Sequence, residues 1–282
     1  MRRLHIALAV FAFLAASFCG RFAQADTPPE AEEQLSLEEL SAIDFSIARG
    51  AEIYARDVAA WVATDVLLEH PAPGTLGIRG WVVTPIVGPP GLYQVTFVSG
   101  KSPDWRIAAS FTIDRGEVTD FEIFEDAPAR FSLNEEQAAA FEAQLSASET
   151  LAGLRKCSAT VNTVVISTPT GHDAYFLTPQ ASMNEVQFGT HYRVPVSADG
   201  VTGEPFSFTK SCLVVSKSAD LEGSTPIMVW VTDLAGPVPS EIHVFKSLEH
   251  STPVAVLTVS NDRMWEVNGK AIRLLGNADK KD

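Results

Sequence analysis

The side chains in this sequence that could do chemistry are few and scattered. Histidine is the usual general base and metal ligand, and five lie beyond residue 25: His70, His172, His191, His243 and His250. No two stand four apart with a glutamate between them, the spacing that puts two imidazoles and a base on one helix face. The nearest approach to a cluster is His172-Asp173 with His191 and His243. His172 and His191 each precede a strand-like run. If those runs pair antiparallel, the two rings sit at opposite ends of the ladder, roughly 17 to 20 Å apart. His191 and His243 remain free to approach each other. The run Thr190-His191-Tyr192-Arg193-Val194 mixes polar and aromatic side chains, so His191, Tyr192, Arg193 and His243 form the candidate recognition surface. In an alternative reading, His191 and His243 with nearby acids form the site of a periplasmic hydrolase or metal-dependent enzyme.

The remaining motifs carry less. Ser207-Phe208-Thr209-Lys210 has the S-x-x-K letters of penicillin-recognising serine enzymes, whose serine and lysine share one side at a helix start. Here the residues fall in a strand-like run, where positions three apart face opposite ways. The companion motifs are missing as well. No G-x-S-x-G elbow, P-loop or G-x-G-x-x-G occurs, which leaves esterase, nucleotide and dinucleotide readings without an anchor. Glu135-Glu136 suits a helix start, and Glu122, Glu125 and Asp126 read as a solvated face. The five tryptophans, Trp61, Trp81, Trp105, Trp230 and Trp265, read mostly as core. No cofactor and no metal site is expected.

The compartment is legible at the N-terminus. Met1-Arg2-Arg3 is a positive start, Leu4 to Phe18 an apolar core, and Ala23-Gln24-Ala25 a signal-peptidase site with cleavage before Asp26. The core is shorter than the roughly 18 to 20 apolar residues of a membrane anchor, so no membrane insertion is expected after cleavage. Removing residues 1–25 takes away Arg2, Arg3 and Arg21 and no acid. It leaves 18 basic against 35 acidic side chains, a net charge of −17. Such a charge repels phosphate backbones and anionic lipids, which excludes nucleic acid as a partner. It also keeps an exported protein soluble. Only Cys157 and Cys212 survive cleavage, and in an oxidising compartment a lone pair is most simply a disulfide. Closing that loop stabilises the fold by about 4 kcal/mol in the chain-entropy picture.

These residues need elements to position them. The Pro-rich acidic stretch 26–35 reads as a flexible leader. Ser36-Leu37-Glu38-Glu39 is a capping box. Behind it Leu37, Leu40, Ile43, Ile47, Tyr54, Val58 and Trp61 recur at helical spacing as far as His70-Pro71, with Gly50 as the weak point. Runs at Leu76–Ile86, Leu92–Val98, Trp105–Ile113 and Val118–Phe124 alternate and are separated by turn residues, which predicts a four-stranded antiparallel meander. A second capping box, Ser132-Leu133-Asn134-Glu135, opens another helix ending near Leu151. After Cys157 helical periodicity disappears. Strands are expected at Val161–Ser167, Ala174–Thr178, Tyr192–Val196, Phe206–Val215, Ile227–Val231, Glu241–Leu248, Val254–Val259, Met264–Val267 and Ala271–Leu275. Cys212 falls inside the fourth, and Ile227–Val231 is apolar enough for the middle of a sheet.

The fold class is therefore α+β: a helix–meander–helix domain at 36–152, then a β-rich, sandwich- or barrel-like domain at 156–282. A helix followed by a four-stranded meander resembles the cystatin-like arrangement in architecture alone, and no function comes with it. The functional expectation is a periplasmic or extracellular, non-enzymatic binding or envelope-assembly module with a protein partner in the cell envelope. The sequence says nothing about oligomeric state. Intact-mass measurement of the exported protein should give a chain beginning at Asp26 with both thiols inaccessible to alkylation; a chain retaining residues 1–25 would contradict the export signal.

Overall fold

The computed structural model describes residues 34–126, 130–182, 184–217 and 228–278; the expected signal segment and most of the expected leader lie outside them. The first capping box is in place. Ser36 Oγ accepts the Glu39 amide at 3.2 Å, and Glu39 Oε2 accepts the Ser36 amide at 2.9 Å. It opens helix α1, Leu37–Leu68. Strands β1 (Ile78–Pro85), β2 (Leu92–Lys101), β3 (Asp104–Asp114) and β4 (Glu117–Ile123) follow in the spatial order β1-β2-β3-β4, each pairing antiparallel with the next. The expected meander is there. Helix α2 (Glu135–Thr150) starts two residues later than its expected capping box. Asn134 is the cap, exchanging bonds with Gln137 at 2.8 and 3.1 Å, while Ser132 bridges to Arg106 of β3 instead.

The second part contains two further four-stranded sheets. One has the order β5-β6-β8-β9, from Asn162–Thr168, Gly171–Leu177, Tyr192–Ser197 and Phe206–Ser207. The other has the order β11-β12-β13-β14, from Val229–Asp233, Val254–Thr258, Arg263–Asn268 and Ala271–Asn277. A ribbon of β7 (Glu185–Gln187) and β10 (Val214–Ser216) stands beside them. Three expectations need correction. The run Phe206–Val215 is not one strand: β9 ends at Ser207, β10 begins at Val214, and Cys212 lies in the break. Strand β11 forms a sheet edge, not a centre, and Trp230 on it is 61% exposed. Most consequentially, Glu241–Leu248 is not a strand but part of helix α3, Glu241–His250. This helix carries the chain from β11 to its parallel neighbour β12.

Helix α3 reaches two sheets. Ile242 and Phe245 pack with Ile53 of α1 onto Val164, Ile166, Tyr175 and Leu177 of the β5–β6 pair. Val244 and Leu248 pack onto Val231, Val256, Trp265 and Val267 of the last sheet. The α1–α3 pair thus fills the space between two sheets. Ile242, Val244, Phe245 and Leu248 lie on one broad face of a ten-residue helix, and the alternation of Ile242, Val244 and Leu248 with polar residues reads equally as a strand over so short a run. On the far side of the β5–β6–β8 sheet, α2 packs Ala140, Phe141 and Ala147 against Val165, Ala174, Phe176 and Val194, together with Val82 and Val98 of the meander. The other face of the meander meets Ala59, Ala60, Ala63 and Leu67 of α1.

The stripe expected on α1 is also partly wrong. Leu37 and Trp61 are exposed, whereas Gly50, Ala59, Ala60 and Ala63 are buried. Small residues bring the helix close to its neighbours, and a search for large apolar groups passes over them. Gly50 is the extreme case. A Cβ there would lie 2.5 Å from the Glu241 carbonyl oxygen and 2.6 Å from Val244 Cβ, so it marks the crossing with α3, not a weak point. In an exposed helix Gly→Ala gains about 1 kcal/mol. Here Gly50→Ala should instead cost about 1 to 3 kcal/mol, as overpacking does, read as a lowered midpoint in urea unfolding at pH 7.

Candidate functional site

The candidate recognition surface is built at the start of β8, where the chain turns from β7 to pair with β6. The register sets Tyr192 opposite Phe176 and Val196 opposite His172. His191 and His172 therefore occupy opposite ends of the ladder, as the antiparallel argument requires. His191 is fully buried. Its Nδ1 accepts the Thr178 amide at 3.2 Å and its Nε2–H donates to the Gln187 carbonyl at 2.9 Å, so both ring nitrogens are occupied. Burial, reinforced by the charge of Lys246, pushes its pKa down to about 3. Such a ring is a neutral strut between two turns.

Tyr192 is also buried and donates its hydroxyl to the Arg155 carbonyl at 2.7 Å. Arg193 lies over Phe206 at 5.2 Å and pairs with Glu241 of α3 at 2.9 Å; Glu241 also accepts the Tyr175 hydroxyl at 3.1 Å. His243 is buried next to Asp233 of β11 and within electrostatic reach of His191. The two histidines that could meet do share one interior. Three of the four nominated residues nevertheless have almost no surface, and the fourth is spent on an ion pair. The segment anchors α3 on its sheet, and of the four only Arg193, with 26% of its side chain exposed beside the exposed Phe206, keeps an open side.

His243 deserves a closer look because Ser240 Oγ lies 3.0 Å from its Nδ1 and Asp233 Oδ2 3.8 Å from the same atom. A serine–histidine–aspartate relay needs the hydroxyl and the carboxylate on opposite ring nitrogens. Here both address Nδ1, which already accepts the Ser240 amide at 3.0 Å as part of the α3 cap. Asp233 Oδ2 is buried without a hydrogen-bond partner. Burial lowers the His243 pKa against the pull of Asp233. The S-x-x-K letters fare no better: Ser207 ends β9 and donates its hydroxyl to the Thr209 carbonyl at 2.6 Å.

Two arrangements were missed by sequence reasoning. The first is an open cleft of about 360 Å³ at the end of the β5–β6–β8 sheet, lined by Thr168, Thr170, His172, Asp173, Ser197 and Thr202 among others. Its acid, Asp173, is paired with Arg49 of α1 at 3.5 Å. Its imidazole, His172, is held below the ordinary histidine range by burial. The second is a charged cluster where α1, α3 and β5 meet: Asp57, Asn162, Lys246, Glu249 and His250. The cluster's carboxylates are 192 positions apart on two helices, and no local spacing announces them.

The staple is in place, with Cys157 and Cys212 bonded at a Cα separation of 5.6 Å. Among the described residues, no group of three or more His, Cys, Asp and Glu side chains is placed to hold a metal ion, and no helix is long and apolar enough to cross a membrane.

His191 and His243 make a pH prediction. Their folded pKa values lie below the unfolded value, so the unfolded state binds more protons as pH falls below about 6.5 and stability is lost on acidification. His191→Gln should flatten that loss, although it also lowers stability at pH 7 by about 1 to 3 kcal/mol through imperfect replacement of two buried bonds. Urea melts of both chains at pH 7 and pH 4.5 give the comparison; equal slopes would remove His191 from the account. No protein-family model, curated protein or solved structure matches this chain.

Proposed function

We propose that the chain is an exported, non-enzymatic binding module of the cell envelope, and that the cleft beside His172 receives a segment of a protein partner. The observation that carries this reading is the chemistry of that cleft. Thr168, Thr170 and Thr202 supply hydroxyls, Ser197 Oγ being already turned to Asp199 and the Val201 carbonyl; Asp173 is paired with Arg49, and burial favours the neutral form of His172. Such a lining offers hydrogen bonds to backbone amides, with no activated nucleophile and no cation for phosphate. The strong negative charge of the exported chain favours an uncharged or basic segment over an acidic one.

A hydrolase is the second reading, and the contact of Ser240 Oγ with His243 at 3.0 Å speaks for it. Against it stand the burial of His243 and the shared Nδ1. A site built on His191 and His243 would also have to release His191 from both of its bonds. Ser240→Ala separates the readings, because it removes the hydroxyl and leaves the cleft untouched.

The binding reading is tested by photo-crosslinking in cells. A photoreactive side chain at Thr170, on the β5–β6 turn of the cleft, should give one discrete adduct with an envelope protein. The same group at Val87, fully exposed between β1 and β2, should give none. Ser240→Ala should leave the adduct unchanged. Identical patterns from both positions, or no adduct from Thr170, would overturn the cleft as the binding place.

A further inference from the structure

The cluster between α1 and α3 holds two carboxylates and one fully buried ammonium. Glu249, on the last turn of α3, takes the ammonium: Lys246 Nζ lies 2.7 Å from its Oε2, and His250 Nε2 lies 3.2 Å from the same oxygen. Lys246 itself is 1% exposed. Asp57, one residue beyond Arg56 on α1, is left with a single neutral donor, the Asn162 amide of β5 at 3.3 Å. Ile53 packs with Phe245 across the α1–α3 contact, and one turn on Asp57 is within electrostatic reach of both Glu249 and Lys246; two acids near one cation cannot both ionise without cost.

The local electrostatics divide them. Burial works against Glu249, but His250 and Lys246 outweigh it and hold the carboxyl at about 2. Burial and the charge of Glu249 push Asp57 up to about 6, against weaker help from Lys246 and Asn162. The other charged groups around the cluster address Glu249 or Lys246: Lys217, just past β10, feels Glu249, and His191 feels both. Arg56 points away, toward β1 and β5.

We propose that the α1–α3 junction is a proton-operated joint, in which uptake of one proton by Asp57 on mild acidification removes the second negative charge and tightens α1 against α3. The sign follows from the folded carboxyl holding its proton more firmly than the unfolded one. The contribution is full below the unfolded value near 4 and is lost as pH rises through the folded value. The helix pair fills the space between two sheets, so loosening it at neutral pH loosens the middle layer of the molecule. This inference is independent of the cleft and of its occupant.

The test compares the exported chain with Asp57→Asn, which mimics the protonated acid in shape and keeps an acceptor for Asn162. At pH 7.5 the variant should melt several degrees above the parent, and the gap should narrow on acidification, to roughly half at pH 5, and close only below about pH 4. His191 and His243 pull the other way on acidification, but they are common to both chains and drop out of the difference. Amide hydrogen exchange across Val244–Glu249, corrected for intrinsic rates, should slow from pH 7.5 to pH 5 in the parent only. NMR titration of the Asp57 carboxyl carbon should give a midpoint well above the ordinary aspartate range. In Glu249→Gln, which removes the neighbouring charge, that midpoint should fall. A variant melting at or below the parent at pH 7.5, or Asp57 titrating near 4, would overturn the joint.

Discussion

The structure depends on a buried arginine in the middle of its longest helix. Arg56 sends Nη1 to the carbonyl of Val83 on β1 at 2.5 Å and to the carbonyl of Val165 on β5 at 3.1 Å, while Nη2 holds Glu52 one turn back at 2.8 Å. Strands β1 and β5 are edges of different sheets. Edge carbonyls that face the interior without a ladder partner are costly. A planar guanidinium with several donors can serve two of them at once and remain charge-balanced by its own helix. The two sheets therefore lie edge to edge without sharing a single ladder bond, and α1 is fixed in both position and rotation. With Arg56 in place, the residues on either side of it fall where they are needed: Ala59 to Leu67 on the meander, Ile53 on the β5–β6 pair, Gly50 under α3, Ile43 on the last sheet.

Helix α1 is thus common property. Residues Leu35–Asp282 form one compact unit by contact, although the strands before and after the connector at 152–156 stay in separate sheets. The proposed division at that connector is a statement about folding autonomy, and α1 is the element it must share out. A first part cut free would carry Ile43, Gly50 and Ile53 without the surfaces that cover them, while the second would lose the helix that lies between its sheets. The disulfide fits the same picture. It ties the connector to the segment between β9 and β10, which passes so close that a Cβ on Gly189 would lie 2.3 Å from the Leu213 amide nitrogen.

What could be read from the sequence was what local physics decides. The meander follows from side chains alternating between a dry face and a wet one, as Ala109, Phe111 and Ile113 do in β3, with glycine and proline at the turns. The Ser36 cap follows from a hydroxyl and a carboxylate three residues apart. What escaped was ambiguous over a short run or decided by partners remote in the chain. Helix α3 looked like a strand because Ile242, Val244 and Leu248 alternate with polar residues, although Ser240 caps it and Ile242, Phe245 and Leu248 also recur at helical spacing. His191 looked available for recognition because residue type does not disclose that Thr178 and Gln187 occupy both its nitrogens. Asp57 and Glu249 left no trace at all, since their meaning is a relation between two helices.

The ion pair between Glu39 and Arg263 joins residues 224 positions apart, and it points to an awkward order of events. Helix α1, made early in synthesis, has as partners the last strands of the chain. Long-range pairings of this kind form slowly, because the connecting loop must close before any contact rewards it. Until then the small-residue face of α1 has nothing to close upon, and an incomplete chain offers that face to other surfaces. A molecule arranged in this way does not complete its layers piecewise as the chain is made. Its final layers come together only when the C-terminal strands have arrived.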